Sequence, residues 1–257
     1  MLLTLDVGNT QTAVGLFDGE TLVGHWRLTT NPDQTSDEMR LALRGVLSLG
    51  NFKSDDIHGV SISCVVPAIL NPLREVAELV APGAVTVVGP GTKTGMPITI
   101  DNPREVGADR VVNAVAARQK YGAPVVVVDF GTSTNFDVVG PNGDYLGGVI
   151  AAGLLLSTQA LTRGAAALRN VELVEPRSAI GKGTVEAIQS GALYGHAGLV
   201  DGIMERVVAA LGSEATRVAT GGLASTIVPH CNSVEIVDPY LTLEGLRMIH
   251  DLNQESS

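Results

Sequence analysis

Apolar and polar positions follow the same order twice along this chain. Leu2–Leu5 is mostly apolar and enters Asp6-Val7-Gly8-Asn9-Thr10, and an alternating run from Thr12 to Phe17 follows at once. The pattern predicts a strand, a tight polar turn and a second strand. It returns at Val125–Val139, where Asp129 stands for Asp6 and Gly131 for Gly8, both at an offset of 123 residues. Asp18-Gly19 and Pro141-Asn142-Gly143 are hairpin-turn signals. They lead into a third strand in each half, Thr21–Leu28 and Tyr145–Ile150.

After the first three strands the period changes to that of a helix. Thr35-Ser36-Asp37-Glu38 has capping-box spacing. Met39, Ala42, Leu43, Val46 and Leu47 then form one apolar stripe, ending at Gly50. Gly59–Val66 reads as a buried strand and Pro67–Leu79 as a helix with Pro in its first turn. Val85–Val88 is a strand, Gly89–Asn102 a loop, and Ala108–Tyr121 a helix closed by Gly122. In the second half, helices are predicted over Gly153–Leu168 and Thr184–Leu211, with an irregular connection over Val171–Lys182. Arg217–Thr220 and Val234–Val237 are strands, Leu223–Pro229 is a short helix or loop, and Thr242–Asn253 is the last helix. A hairpin-first sheet followed by helices, duplicated, predicts two similar α/β domains with an active-site cleft between them. The expected division is 1–115 and 116–257.

Composition narrows the class. Of 257 residues, 45% are hydrophobic but only 4% aromatic, so the core is built of Val, Leu, Ile and Ala, as in buried parallel strands. The formal net charge of −10 argues against a nucleic-acid partner, and an anionic substrate must be met by local donors or a metal ion. Two cysteines, Cys64 and Cys231, without a CxxC pair, fit a reducing cytoplasm rather than a disulfide framework or zinc site. Asp6 interrupts the first apolar run, which reads as a strand and not a signal peptide. No run approaches the ~18 apolar residues of a spanning helix, so no membrane partner is expected.

Asp6 and Asp129 each end an apolar strand and enter a Gly/Thr turn. A carboxylate beside free backbone N–H groups and hydroxyls can position a hydrated Mg²⁺ while the amides hold phosphate oxygens. Either turn alone would pass as an ordinary Asx-turn. Two in corresponding places favour the nucleotide reading. No GxxxxGK[ST] occurs, and Gly89–Gly95 with Lys93 lacks its spacing. Gly107-Ala108-Asp109-Arg110 opens a helix. There Arg110 can hold a carboxylate bidentately and Asp109 can accept a hydroxyl proton; a plain surface ion pair is the alternative. Gly221-Gly222 follows a strand and lets the backbone approach a flat ligand, or is a plain turn. Gly191, Gly195, Gly198 and Gly202 recur on one long helix, which close approach of another helix would explain, within the fold or across a dimer. The five histidines show no ligand spacing, and Trp26 and Phe136 read as core.

Taken together, DVGNT at 6–10, NPREVGADR at 102–110, DFGTSTNFDVV at 129–139, GGVIAAG at 147–153, the run 180–203, ATGGLA at 219–224 and DPYLTLEGL at 238–246 resemble type III pantothenate kinases. The resemblance covers essentially the whole chain. It implies two duplicated ribonuclease-H-like domains of the actin-like ATPase fold. It also implies ATP-dependent phosphorylation of pantothenate, the first step of coenzyme A synthesis, by a homodimer that uses Mg²⁺ and a monovalent cation, K⁺ or NH₄⁺. By the same resemblance Asp6, Val7, Gly8, Asn9, Thr10, Gln11, Thr12 and Ala13 form the first phosphate-binding turn, with Mg²⁺ at Asp6 through water. Asp129 takes the monovalent cation, Thr132 contacts ATP, and Gly221 and Gly222 lie near the adenosine. Pantothenate is met by Ile100, Gly107, Ala108, Asp109 as general base, Arg110 on its carboxylate, and Thr184 from the partner subunit. Three residues depart from the family pattern: Ile100 for a common Tyr, Ala152 for Pro, and Asn135 for Thr.

Two rival readings stand beside this one. A non-catalytic nucleotide-binding regulator would use the same scaffold. A kinase of the same superfamily would act on a sugar or short acid, although Arg110 beside Asp109 suits a carboxylate-bearing alcohol better.

Overall fold

The structure is a computed structural model that describes residues 1–164 and 171–254. The chain divides into two compact units. The first is residues 1–119 together with the segment that returns from Tyr240, and the second is Lys120–Pro239.

The first unit opens with β1 (Leu2–Val7), β2 (Gln11–Asp18) and β3 (Thr21–Thr29). Helix α1 (Ser36–Leu49), β4 (Gly59–Cys64), α2 (Pro67–Val80), β5 (Val85–Val87) and α3 (Ala108–Tyr121) follow. The sheet order is β3-β2-β1-β4-β5, antiparallel through the hairpins and parallel from β1 to β4 to β5. The capping box forms in full. Glu38 N–H donates to Thr35 Oγ1 at 3.3 Å, and Thr35 N–H donates to Glu38 Oε2 at 2.9 Å. Both helices turn their apolar stripes to one face of the sheet. Met39, Leu43, Val46, Ile69, Leu73 and Val76 pack there with Leu3, Leu5, Val14, Leu16, Val60 and Ile62. Trp26 joins this cluster partly buried, edge-on to Phe52.

The second unit has β6 (Val125–Phe130), β7 (Ser133–Val139) and β8 (Tyr145–Ala152). Then come α4 (Leu154–Gly164), α5 (Thr184–Leu211), β9 (Thr216–Thr220), α6 (Ala224–Ile227) and β10 (Ile236–Val237). Its sheet order, β10-β9-β6-β7-β8, is that of the first unit strand for strand, with the same parallel and antiparallel pairs. The duplication is therefore one of topology. The fold is α/β with two similar domains, as the repeated pattern predicts. The turn that opens each copy differs in length. Gly8, Asn9 and Thr10 lie between β1 and β2, but only Gly131 and Thr132 between β6 and β7. Phe136, a core residue by sequence, is 0% exposed among Val126, Val128, Val200 and Met204.

Three expectations shift. The helix predicted over Gly153–Leu168 is observed to Gly164, and 165–168 lie outside the described residues. The last strand holds Ile236 and Val237 alone of the run 234–237. Helix α7 (Leu241–Gln254) belongs with the first unit and not with the second. Contacts with segments far back in the chain hold it there. Ser61 Oγ donates to the Leu246 carbonyl at 2.8 Å, Thr86 Oγ1 meets His250 Nδ1 at 2.9 Å, and Thr242 Oγ1 donates to Asn113 Oδ1 at 2.7 Å. Ser61 and Thr86 sit on the sheet face that α1 and α2 leave uncovered. The Gly89–Gly95 loop is held to α7 as well, Asn253 bonding both the N–H and the C=O of Lys93.

Candidate active site

In the first unit the first turn is built by the β1–β2 hairpin. Asp6 is the last residue but one of β1 and stands in register with Ala13 on β2 and Ser63 on β4. Val7 is buried beneath it and accepts at its carbonyl from Val65 N–H at 3.0 Å. Gly8 N–H closes the hairpin on the Gln11 carbonyl at 3.0 Å, which leaves Asn9, Thr10 and Gln11 exposed at the tip. Thr30 braces that tip from β3's end. Its N–H donates to the Thr10 carbonyl at 3.0 Å and its hydroxyl meets Thr12 Oγ1 at 2.9 Å. Cys64 next to this turn has its thiol pKa pushed up, first by burial and further by the negative charge of Asp6. It is a poor nucleophile and donates to the Val66 carbonyl.

The same unit carries Gly107–Arg110 at the start of α3. Asn102 caps the short turn Pro103–Glu105 before it, accepting from Arg104 N–H at 3.3 Å and donating to Glu105 Oε1 at 2.6 Å. Ile100 is half-buried just upstream. The Gly107 carbonyl accepts from the N–H groups of Arg110 and Val111, which starts the helix. Asp109 is half-buried in this first turn, and its Oδ1 accepts the Arg110 N–H at 2.9 Å. Burial pushes its pKa up from the ordinary carboxylate value. The Arg110 N–H and guanidinium pull the other way but do not cancel the rise. A carboxylate with a raised pKa is a better proton acceptor than an exposed one.

In the second unit Asp129 stands where Asp6 does, in register with Asn135 and Thr220. Gly131 N–H closes its hairpin on the Ser133 carbonyl at 3.0 Å, leaving Thr132 exposed. Gly221 crosses beside Asp129 with φ +92°, and a Cβ there would run into Asp129 Oδ1 and the backbone of Phe130. Gly222 is exposed next to it. The Asp129–Thr132 turn and the Gly221-Gly222 turn are thus brought together. Thr184 is the exposed first residue of α5. Sequence reading missed the second support of this turn. Gly153 N–H donates to the Thr132 carbonyl at 3.1 Å, so close that a side chain would collide with it. Behind it, the buried His196 ring meets Thr134 Oγ1 at 2.9 Å, and burial lowers the pKa of that histidine. The only sign of Gly153 in the sequence was its place at the end of GGVIAAG.

The donor set suits magnesium brought in with a nucleotide. Among the described residues no three His, Cys, Asp or Glu converge on one point. Single carboxylates at strand ends, with exposed turn amides, match an ion that keeps water and phosphate ligands.

The type III pantothenate kinase family model matches residues 2–206. The chain belongs to the type III pantothenate kinase family. It is 52% identical over 254 residues to a type III pantothenate kinase of Frankia alni (strain DSM 45986), covering 98% of this chain and 100% of the relative. It is 50% identical over 261 residues to that of Streptomyces griseus subsp. griseus, covering 98% of both. Among solved structures, (R)-2-hydroxyglutaryl-CoA dehydratase component A of Acidaminococcus fermentans has a TM-score of 0.58 at 17% identity, covering 100% of this chain and 99% of that one. The ROK hexokinase of Thermus thermophilus has 0.52 at 16%, covering 98% and 99%. At those identities the likeness is one of fold, the actin-like pair of similar domains. Asp6 and Asp129 stand next to last in β1 and β6, and Asp109 stands in the first turn of α3.

Proposed function

We propose that this chain transfers the γ-phosphoryl group of ATP in line to the primary hydroxyl of pantothenate, with Asp109 as general base. Family membership carries the reaction itself, ATP-dependent pantothenate phosphorylation in coenzyme A synthesis. The observation that supports the base is the half-buried Asp109 carboxylate, its pKa raised by burial, held at the N-terminus of α3 beside Arg110. Asp109 takes the hydroxyl proton as the oxygen attacks phosphorus, and Arg110 holds the pantothenate carboxylate. The Asp6–Ala13 turn and Thr132 hold phosphate oxygens through backbone N–H groups and hydroxyls, which offsets charge in the transition state. Asp6 would hold Mg²⁺ through water, and Mg²⁺ supplies charge neutralisation of the phosphates. Asp129 would hold K⁺ or NH₄⁺, with Gly221 and Gly222 against the adenosine, and Ile100 against pantothenate. The enzyme works in the cytoplasm.

The reading includes a homodimer in which Thr184 reaches the partner's pantothenate. The α5 glycines support it. Gly191, Gly195 and Gly198 lie on one exposed stripe, and a Cβ at any of them would meet nothing within 4 Å. That leaves this stripe of α5 bare of side chains, as close packing of a helix from a second copy requires.

A coupled ADP-release assay tests the whole reading. Turnover is expected to need pantothenate and Mg²⁺ and to rise with K⁺ or NH₄⁺. No pantothenate-dependent turnover under any of these conditions would leave the nucleotide-binding regulator. Arg110→Ala is expected to raise the KM for pantothenate about 10- to 100-fold, the loss of a charge-assisted hydrogen bond to a carboxylate. It also removes a charge that lowers the Asp109 pKa, so the acid limb of the pH profile should move to higher pH. A KM within twofold of the unchanged enzyme would remove Arg110 from the substrate.

A further inference from the structure

Four buried hydroxyl side chains lie on the α7 face of the first sheet: Thr4, Ser61, Thr86 and Ser63. Three are committed. Thr4 Oγ1 donates to the Gly15 carbonyl at 3.3 Å, Ser61 Oγ to Leu246 and Thr86 Oγ1 pairs with His250. Ser63 is 0% exposed, and its Oγ has no hydrogen-bond partner among the described residues. A buried hydroxyl without a partner destabilises the fold, and an alanine there would do no worse.

Its position gives it a use. Ser63 and Asp6 are paired in register on parallel strands, so both side chains leave the same face. Strands about 4.8 Å apart put a serine hydroxyl within reach of that carboxylate after a single χ1 turn. The second unit repeats the arrangement. Asp129 is in register with Thr220, also on the parallel neighbour and 1% exposed. Each candidate carboxylate thus has a buried hydroxyl residue beside it on the next strand.

We propose that Ser63 is a positioning residue for Asp6. Its hydroxyl donates to one carboxylate oxygen when the magnesium nucleotide is bound and leaves the other turned to the hydrated ion. This rests on the reading of Asp6 as the Mg²⁺-side residue of the phosphoryl-transfer site.

The test is calorimetric titration of ADP into the full-length protein, with Mg²⁺ and with EDTA. Ser63→Ala is expected to weaken binding about tenfold in Mg²⁺ and to leave binding in EDTA unchanged. Its melting temperature without nucleotide should equal or exceed that of the unchanged protein. Ser63→Thr, the residue type found beside Asp129, should restore Mg²⁺-dependent binding to within about threefold. Equal affinity of Ser63→Ala and the unchanged protein in Mg²⁺ overturns the proposal. So does an equal loss with and without Mg²⁺, or a loss of folding in both variants, since each marks a structural role alone. If the unchanged protein itself binds ADP no better with Mg²⁺ than with EDTA, the magnesium reading of Asp6 fails, and this proposal with it.

Discussion

Asp109→Asn is expected to lower kcat by about 10²- to 10⁴-fold while the protein stays folded. The amide keeps the size of the side chain and one acceptor oxygen for the Arg110 N–H, but it cannot take a proton. Stability should not fall, and the sign follows from the burial shift. The folded-state pKa of Asp109 is raised above its ordinary carboxylate value, so the folded protein binds the proton more tightly than the unfolded chain. The stabilisation this gives is present at low pH and is lost as pH rises through the raised value. At neutral pH the ionised carboxylate therefore weighs against folding, and Asn removes that weight. The melting temperature of Asp109→Asn at neutral pH should equal or exceed that of the unchanged enzyme. Activity has the opposite pH dependence, because the base must be ionised. Turnover should fall as pH drops through a value above the ordinary carboxylate range. A purified Asp109→Asn or Asp109→Ala enzyme with undiminished ADP release would end the assignment.

Gly221→Ala should be a severely damaging single-methyl change in the second unit. Gly221 holds φ +92°, where an L residue is strained by ~1–2 kcal/mol. Its new Cβ would also stand 2.6 Å from Phe130 N and 2.8 Å from Phe130 C, and would crowd Asp129 Oδ1. Backbone on that side cannot rotate away as a flexible side chain could. Strain and overpacking together should cost more than ~2 kcal/mol, a fall in melting temperature of ~5 °C or more. Any accommodation must move Asp129 or the Gly221-Gly222 turn, so nucleotide binding should be lost as well. Thermal melts with ADP titration decide it. A variant that melts unchanged and binds ADP normally would show that the two turns are not locked together.

Much of this was legible along the chain because the governing patterns are local. The capping box at Thr35 and Glu38, the Asp18-Gly19 turn and the helix from Thr184 to Leu211 each depend on residues within a few positions of one another. The long helix is observed over the residues predicted, between Gly183 and Gly212, the latter in the left-handed conformation at φ +67°. The strand predicted over 234–237 shrank to two residues because edge pairing depends on what the neighbouring β9 offers, and β10 is in register only with Val218 and Ala219.

The candidate site was readable to the same extent. Asp6, Asp129, Asp109 and Arg110 each lie inside a contiguous motif. Thr30 and Ser63 do not, and Gly153 shows only as the last residue of GGVIAAG. Gly153 matters because its amide reaches the Thr132 carbonyl, 21 positions earlier. Ser63 matters because β4 lies alongside β1. Helix α7 has an ordinary amphipathic pattern, and nothing in that pattern says which unit's sheet it covers.

What the sequence by itself determined, then, is the repeated strand-turn-strand pattern, the family and the carboxylates that end its strands. These are properties of short stretches, set by side-chain period, turn chemistry and capping. The tertiary structure alone decided that α7 returns to the first sheet, that Gly221 and Gly153 back the Asp129–Thr132 turn, and that Ser63 stands beside Asp6. Those depend on strand order and register, which arise only when segments far apart in the chain pack together to remove their apolar faces from water.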